Sequence, residues 1–441
     1  MTNESVTVIG GGLAGCEAAW QLARCGVRVT LVEMKPGVRT PAHSSDLLGE
    51  LVCSNSLRGT SLSSAVGLLK EELRRSGSLL IACAEETSVP AGRALAVDRL
   101  KFSQTLERSL ESQPLIQIVR ERREDFTEGE RVIVATGPLS DGGLLDALER
   151  HGATLNYHDA IAPLIAADSV DRSRVFLADR YEDPKSGGAY LNCPFAEREY
   201  YEFVRGLVDA DKTPLNDFES APFFEGCLPV EEMAARGPLT LAYGPLKPVG
   251  LTDPRTGRRP FAVAQLRPED RAATAYSLVG FQTRLTRPEQ RRVLRSIPGL
   301  EQAVFERYGQ VHRNTFVDAP RVLDDRLRLI DDPAVSLAGQ LTGVEGYVES
   351  IASGLFAGLA AAAELAGEQI ELPPVTTALG GLMGHTRRGG SYQPSNVVWA
   401  MIETEPRRRG QQKRDHREVA ATCALEDSER WKLGWRKLIE I

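Results

Sequence analysis

Two cysteines lie in settings where a thiol can react. Cys53 sits in Glu50-Leu-Val-Cys53-Ser-Asn-Ser56 and Cys227 in Phe223-Phe-Glu-Gly-Cys227-Leu-Pro229, each flanked by small or turn-forming residues rather than a continuous apolar run. Gly226 would let the backbone approach a ligand closely, and Glu225 could hold a donor beside the thiol. Such a thiol is a redox partner for a nearby cofactor or, as thiolate, a nucleophile toward an electron-poor ring such as uracil at C6. The competing reading is a small buried hydrophobe, and it suffices for Cys16, Cys25, Cys83 and Cys423. His43 in Thr40-Pro-Ala-His43, Tyr347 in a glycine-rich turn, and His312-Arg313-Asn314 are further candidates. A tyrosine can stack on a pterin or a base, and a His-Arg pair suits a carboxylate or phosphate.

The elements that would position these groups begin at residue 6. Val-Thr-Val-Ile leads into Gly10-Gly-Gly12-Leu13-Ala14-Gly15, then a helical run, a second strand, and Glu33. Strand, glycine turn, helix, strand and acid are the dinucleotide-binding order. Gly10 permits the tight turn, Gly12 admits a pyrophosphate to the backbone, and Gly15 allows close helix–strand packing. The pyrophosphate would sit at Leu13 and Ala14, where helix N–H groups and the dipole favour an anion. Glu33, 18 residues after Gly15, can accept from a ribose hydroxyl. Further along, Arg131–Thr136 reads as a buried strand ending at Gly137. Ser336–Ala338 reads as another, followed by Gly339, Gly343 and Tyr347 and an Ala/Gly-rich helix over Ile351–Ala366. Two separated half-sites, one for a pyrophosphate and one for a ring, favour FAD over NAD.

Residues 61–75 and Ala94–Leu110 have helical spacing. From about residue 160 the texture changes to aromatics, prolines and short strands (Ala189–Asn192, Pro260–Gln265), with amphipathic helices near Glu197–Val208 and Pro288–Ser296. The expected architecture is α/β: a Rossmann-type, glutathione-reductase-like FAD-binding domain built from residues 1–160 and 310–441, with an inserted α+β substrate domain at 161–309. The last stretch, 405–440, reads as a charged helix whose Trp431 and Trp435 pack in the core.

The chain of 441 residues, 42% hydrophobic and 26% charged, suits two ordinary globular domains. No apolar run is expected to approach the roughly 18 residues of a membrane span, and the chain enters a strand at once without a signal-peptide pattern, so a cytoplasmic location with no membrane partner is expected. Seven cysteines without framework spacing read as free thiols, and no cysteine–histidine cluster suggests a metal. A net charge of −7 argues against general nucleic-acid affinity, though arginines cluster at 284–295, 387–388 and 407–417.

Segments from end to end resemble one family, the folate- and FAD-dependent tRNA (uracil-5-)-methyltransferases, TrmFO. They include Gly10–Trp20, Thr40–His43, Glu50–Arg58, Val89–Gly92, Ala94–Arg99, Leu191–Pro194, Phe224–Pro229, Tyr243–Leu251, Asp253–Gly257, Val279–Thr283, His312–Thr315 and Gly339–Ser350. Arg93, Phe195, Leu285-Thr-Arg-Pro288 and Tyr392–Asn396 depart from the family pattern. The resemblance implies that 5,10-methylenetetrahydrofolate donates a one-carbon unit, by way of FAD, to C5 of a T-loop uridine in tRNA, with NADH or NADPH as reductant. Cys227 matches the nucleophile, Cys53 the second active-site cysteine, and Tyr347 the tyrosine beside the flavin; His43 and Arg313 are expected to bind substrate. The alternative keeps flavin and folate but drops RNA: a folate-dependent oxidoreductase acting on methylenetetrahydrofolate itself.

Overall fold

Short Val/Ile-rich segments build the first sheet. In a computed structural model describing residues 5–439, except 128, 153, 181–187, 215–222, 224–226, 390 and 391, five strands run parallel in the order Val335–Leu337, Val132–Val134, Ser5–Ile9, Arg28–Glu33, Ile116–Arg120. Val132–Val134 is wholly buried. Near-continuous apolar strands are what a parallel sheet covered on its faces requires.

The helix Leu13–Arg24 follows the first strand and packs along the late helix Tyr347–Leu365. Small residues let the two backbones meet. A Cβ added at Gly354 would lie 2.2 Å from the Ala14 carbonyl oxygen, and one at Gly358 2.7 Å from that of Ala18. This late helix corrects the expectation of no membrane-length apolar run. Its 19 residues are long and apolar enough, but 89% of its apolar window is buried inside the protein. It is a core helix, and its apolar surface is covered mainly by the glycine-loop helix and by the helix Ala65–Ser76.

A second, antiparallel sheet has the order Phe176–Leu177, Leu191–Phe195, Ala262–Pro268, Ala275–Leu278, Leu164–Ala166, Phe305–Arg307. With helices Glu197–Val208 and Arg287–Leu294 it encloses a separate hydrophobic core that includes Phe195, Tyr200, Phe203 and Leu294. Between the two cores runs an antiparallel ribbon, Thr154–Ile161 against Gln310–Val317, in which Asp159 pairs with His312 and Tyr157 with Asn314. Directly paired residues share a face, so Tyr157, Asp159, Ile161, His312 and Asn314 point one way and Arg313 the other.

The segment 94–110 is not one helix. Ala94–Val97 is a strand between Ser56–Gly59 and Ser88–Val89, and the helix is Arg99–Glu111. Asp98 divides them: its carboxylate accepts from the Lys101 amide at 3.1 Å and caps the helix. The C-terminal helix spans Lys413–Arg436; Trp431 and Trp435 are buried edge to face, with ring centroids 5.7 Å apart.

Candidate active site

The glycine loop is built as its spacing requires. Gly10 has φ +110°, and a Cβ there would lie 2.5 Å from the Ala135 carbonyl oxygen. A Cβ at Gly15 would lie 1.9 Å from the Gly10 carbonyl oxygen. Gly12 begins the helix without a side-chain cap, and nothing occupies the space where its Cβ would point. That leaves the helix N-terminus open toward a cavity of about 120 Å³ walled by Leu13, Ala14, His43, Gly137, Gly339 and Tyr347. Glu33 is buried. Its Oε2 accepts from the Gly11 amide and its Oε1 from the Lys35 amide, both at 2.9 Å. It borders a second cavity, about 90 Å³, with Gly10, Gly12 and His43. His43 Nδ1 is 2.8 Å from Thr40 Oγ1, and burial, with Lys35 nearby, pushes its pKa down.

A third cavity, about 250 Å³, adjoins these along Pro138, Leu139 and Tyr347 and contains both cysteines. Cys53 is held by its backbone. The Cys53 and Ser54 amides donate to Tyr347 Oη at 2.8 and 3.0 Å. Arg99 Nη1 donates to the Leu51 carbonyl at 2.6 Å, and Arg307 Nη1 and Nη2 donate to the Val52 and Cys53 carbonyls at 3.0 and 3.2 Å. Tyr347 is the first residue of the late helix, so the element packed on the glycine-loop helix also fixes the cysteine loop.

Cys227 immediately precedes Leu228, Pro229 and the short helix Val230–Ala235; Glu225 and Gly226 lie outside the described residues. Its thiol hydrogen-bonds to the Asp159 carboxylate, which also meets the Ala160 amide and the Asn314 side chain. Asp159 Oδ1 is buried with no partner of its own, as is His312 Nε2. Burial pushes Asp159 up to about 6. Burial, and then the Asp159 charge, push Glu345 up to about 7. Tyr157 Oη donates to Glu345 Oε2, and Gln340 Nε2 is 2.9 Å from both of its oxygens. Burial and the Asp159 charge push Cys53 up to about 12 against the pull of Arg99 and Arg307, and push Cys227 further still. Asp159, hydrogen-bonded to the Cys227 thiol, is the adjacent group placed to take its proton.

The structure therefore brings together Cys53, Cys227 and Tyr347, and in adjoining cavities Gly10, Gly12, Leu13, Ala14, Glu33, His43, Gly137 and Gly339. Gly15 lies behind the loop as a packing position. Gly343 also serves the turn: a Cβ there would lie 2.5 Å from Tyr392 Oη. Arg313 stands apart. It is exposed on the outer face of the ribbon, bordering a further cavity with Arg39 and Asn156 that meets the cysteine cavity at Leu139 and His312, while Asn314 reaches the cysteines. Sequence reasoning missed Asp159, Glu345, Arg99 and Arg307. Arg99 and Glu345 fall within matched segments but carry no motif of their own, and Asp159 becomes visible only once its strand is paired with 310–317.

A family model described as glucose inhibited division protein A matches residues 5–369. A Geobacter sulfurreducens protein named methylenetetrahydrofolate–tRNA-(uracil-5-)-methyltransferase TrmFO is 54% identical over 430 residues, 97% of this chain and 98% of its own. The chain belongs to the TrmFO family. An Anaeromyxobacter dehalogenans TrmFO is 55% identical over 91% of each chain. Aquifex aeolicus GidA, a solved structure, superposes with a TM-score of 0.70 over 99% of this chain and 75% of its own, at 17% identity. That likeness shows that the chain has the α/β fold of GidA.

Proposed function

We propose that this TrmFO protein transfers a one-carbon unit from 5,10-methylenetetrahydrofolate to C5 of a T-loop uridine in tRNA, with FAD as cofactor and NADH or NADPH as reductant, and that it works in the cytoplasm. The observation that carries this reading is the meeting of Cys53, Cys227 and Asp159 in one cavity that adjoins the open glycine-loop helix.

The residues fit FAD. A bare helix N-terminus suits the pyrophosphate, Glu33 borders the cavity beside it, and Tyr347 and Gly339 border the passage toward the cysteines. When bound, FAD supplies the redox chemistry and the relay of the one-carbon unit. The chain's own residues act on the uracil. Asp159 takes the Cys227 thiol proton, and the thiolate adds at C6, which makes C5 an enolate carbon able to attack an electrophile. Cys53 completes the pair, held by Arg99, Arg307 and Tyr347. Residues 161–309 are assigned as the substrate domain inserted into a cofactor domain of 1–160 and 310–441. Within that division His43 lies on the cofactor side, and Arg313 contacts substrate only at the outer cavity.

Incubation of the flavin-loaded protein with methylenetetrahydrofolate, NAD(P)H and unmodified tRNA, followed by nucleoside mass spectrometry, tests the reading. It predicts 5-methyluridine from wild type and none from Cys227→Ala. Reductant consumption with unchanged nucleosides would replace it with the RNA-independent oxidoreductase.

A further inference from the structure

The second core carries a feature that the cysteine chemistry does not use. The helix Arg287–Leu294 turns Val293 and Leu294 inward and leaves Arg287 and Arg291 exposed, four residues apart on one face. Both guanidinium groups lie over the Tyr308 ring, at 5.7 and 5.9 Å from its centroid, and Arg291 Nη2 donates to Tyr308 Oη at 2.7 Å. Tyr308 stacks on Phe305, with centroids 5.2 Å apart and planes 20° from parallel. Many surface arginines here are tied to carboxylates, as Arg174, Arg198 and Arg292 are. Among the described residues, neither Arg287 nor Arg291 has a carboxylate partner. From Arg284 to Arg295 there are five arginines and one acid, Glu289, which Arg292 occupies.

The position of this strip matters as much as its charge. Arg307, next to Tyr308 in the chain, reaches inward to the Cys53 carbonyl at 3.2 Å. Four residues beyond Tyr308, His312 borders the cysteine cavity. The aromatic pair and its two arginines thus belong to the stretch of chain that leads from Arg307 to His312, both of which reach the cysteine site. Exposed cations with charge to spare, whose guanidinium planes rest on an aromatic ring, suit a phosphodiester backbone with an unstacked base laid on the guanidinium planes. An acidic protein partner would match the charge but has no use for a stacking platform.

We propose that Arg287, Arg291 and Tyr308 form the docking strip on which the RNA strand flanking the target uridine is held as that base enters the cysteine cavity. The proposal rests on the reading of the protein as a tRNA methyltransferase. The strip supplies what a chain of net charge −7 needs, a local cationic track that overrides the mean charge.

The test is binding of an unmodified tRNA transcript to the flavin-loaded protein across roughly 50 to 200 mM salt. Arg287→Gln with Arg291→Gln should lower the slope of log affinity against log salt by about one to two, one for each lost phosphate contact. The double lysine variant should keep the slope, because the charge remains. Tyr308→Ala should weaken binding about tenfold with the slope unchanged, as loss of the ring that orients both guanidinium planes for stacking does. Thermal melts of each variant establish that it is folded. A double glutamine variant with the wild-type slope, or a lysine variant as defective as the glutamine one, overturns the strip. Wild type that binds tRNA through the strip but never methylates it would overturn the functional reading and leave the strip standing.

Discussion

Asp159 and Glu345 are two carboxyl groups held above the usual carboxylate range, at about 6 and about 7, on the wall of one cavity. Each binds a proton more tightly in the folded chain than in the unfolded one. Between about pH 4 and pH 7 the folded state therefore holds more protons, and stability falls as pH rises through that window. For Glu345 the raised value corresponds to about 3 kcal/mol. Thermal melts of Glu345→Gln should accordingly decline less between pH 5 and pH 8 than those of wild type. The activity consequence has the opposite sign, because Asp159 must be ionised to take the Cys227 proton. Methylation by wild type should rise through about pH 6. Asp159→Asn should lose a factor of about 10² to 10⁴ in rate, and the acidic limb with it. An Asp159→Asn enzyme with the wild-type pH profile would remove Asp159 from the chemistry. The raised thiols give an independent check. Exposed Cys423 should be alkylated before Cys53 and Cys227 when ligand-free protein meets a small thiol reagent near pH 8.

The glycine-loop helix and the late helix are the elements on which both half-sites depend. Gly354 faces the Ala14 carbonyl so closely that a methyl group must push the helices apart. Gly354→Ala should cost about 1–3 kcal/mol and lower the amount of FAD retained on purification, read from the flavin-to-protein absorbance ratio. The same elements mark what the sequence makes legible. The strand–Gly10–helix–Glu33 unit and the Gly339–Tyr347 turn stand out because their signals are local: glycines at fixed spacing, apolar runs, an acid at a strand end. The error at 94–110 is local too. Asp98 is a helix cap whose meaning depends on whether the residues before it find strand partners, and Ala96 finds Ser56 some 40 positions earlier. Asp159 could not be read at all. Its role needs the pairing with His312, 153 residues away, and a register that turns Arg313 to the opposite face.

At the scale of the whole molecule, the parallel sheet with its two helices presents the glycine loop and Tyr347, the antiparallel sheet and its helix carry the arginine–tyrosine strip, and the 154–161/310–317 ribbon between them carries Asp159. Cys53 comes from the first body, and Cys227 lies just ahead of a helix packed into the second. The 17% identity to GidA at a TM-score of 0.70 shows that the fold survives extensive change of sequence. The central claim is that Cys227 is the carbon nucleophile's activator, the thiolate that adds to the target uracil. A tRNA transcript carrying 5-fluorouridine tests it most directly, because C5 then has no proton to lose and the enzyme stays bonded to C6. The account predicts a covalent protein–RNA complex whose digested peptide carries the adduct on Cys227, abolished in Cys227→Ala. An adduct mapped to Cys53, or normal methylation of unmodified tRNA by Cys227→Ala, would contradict it.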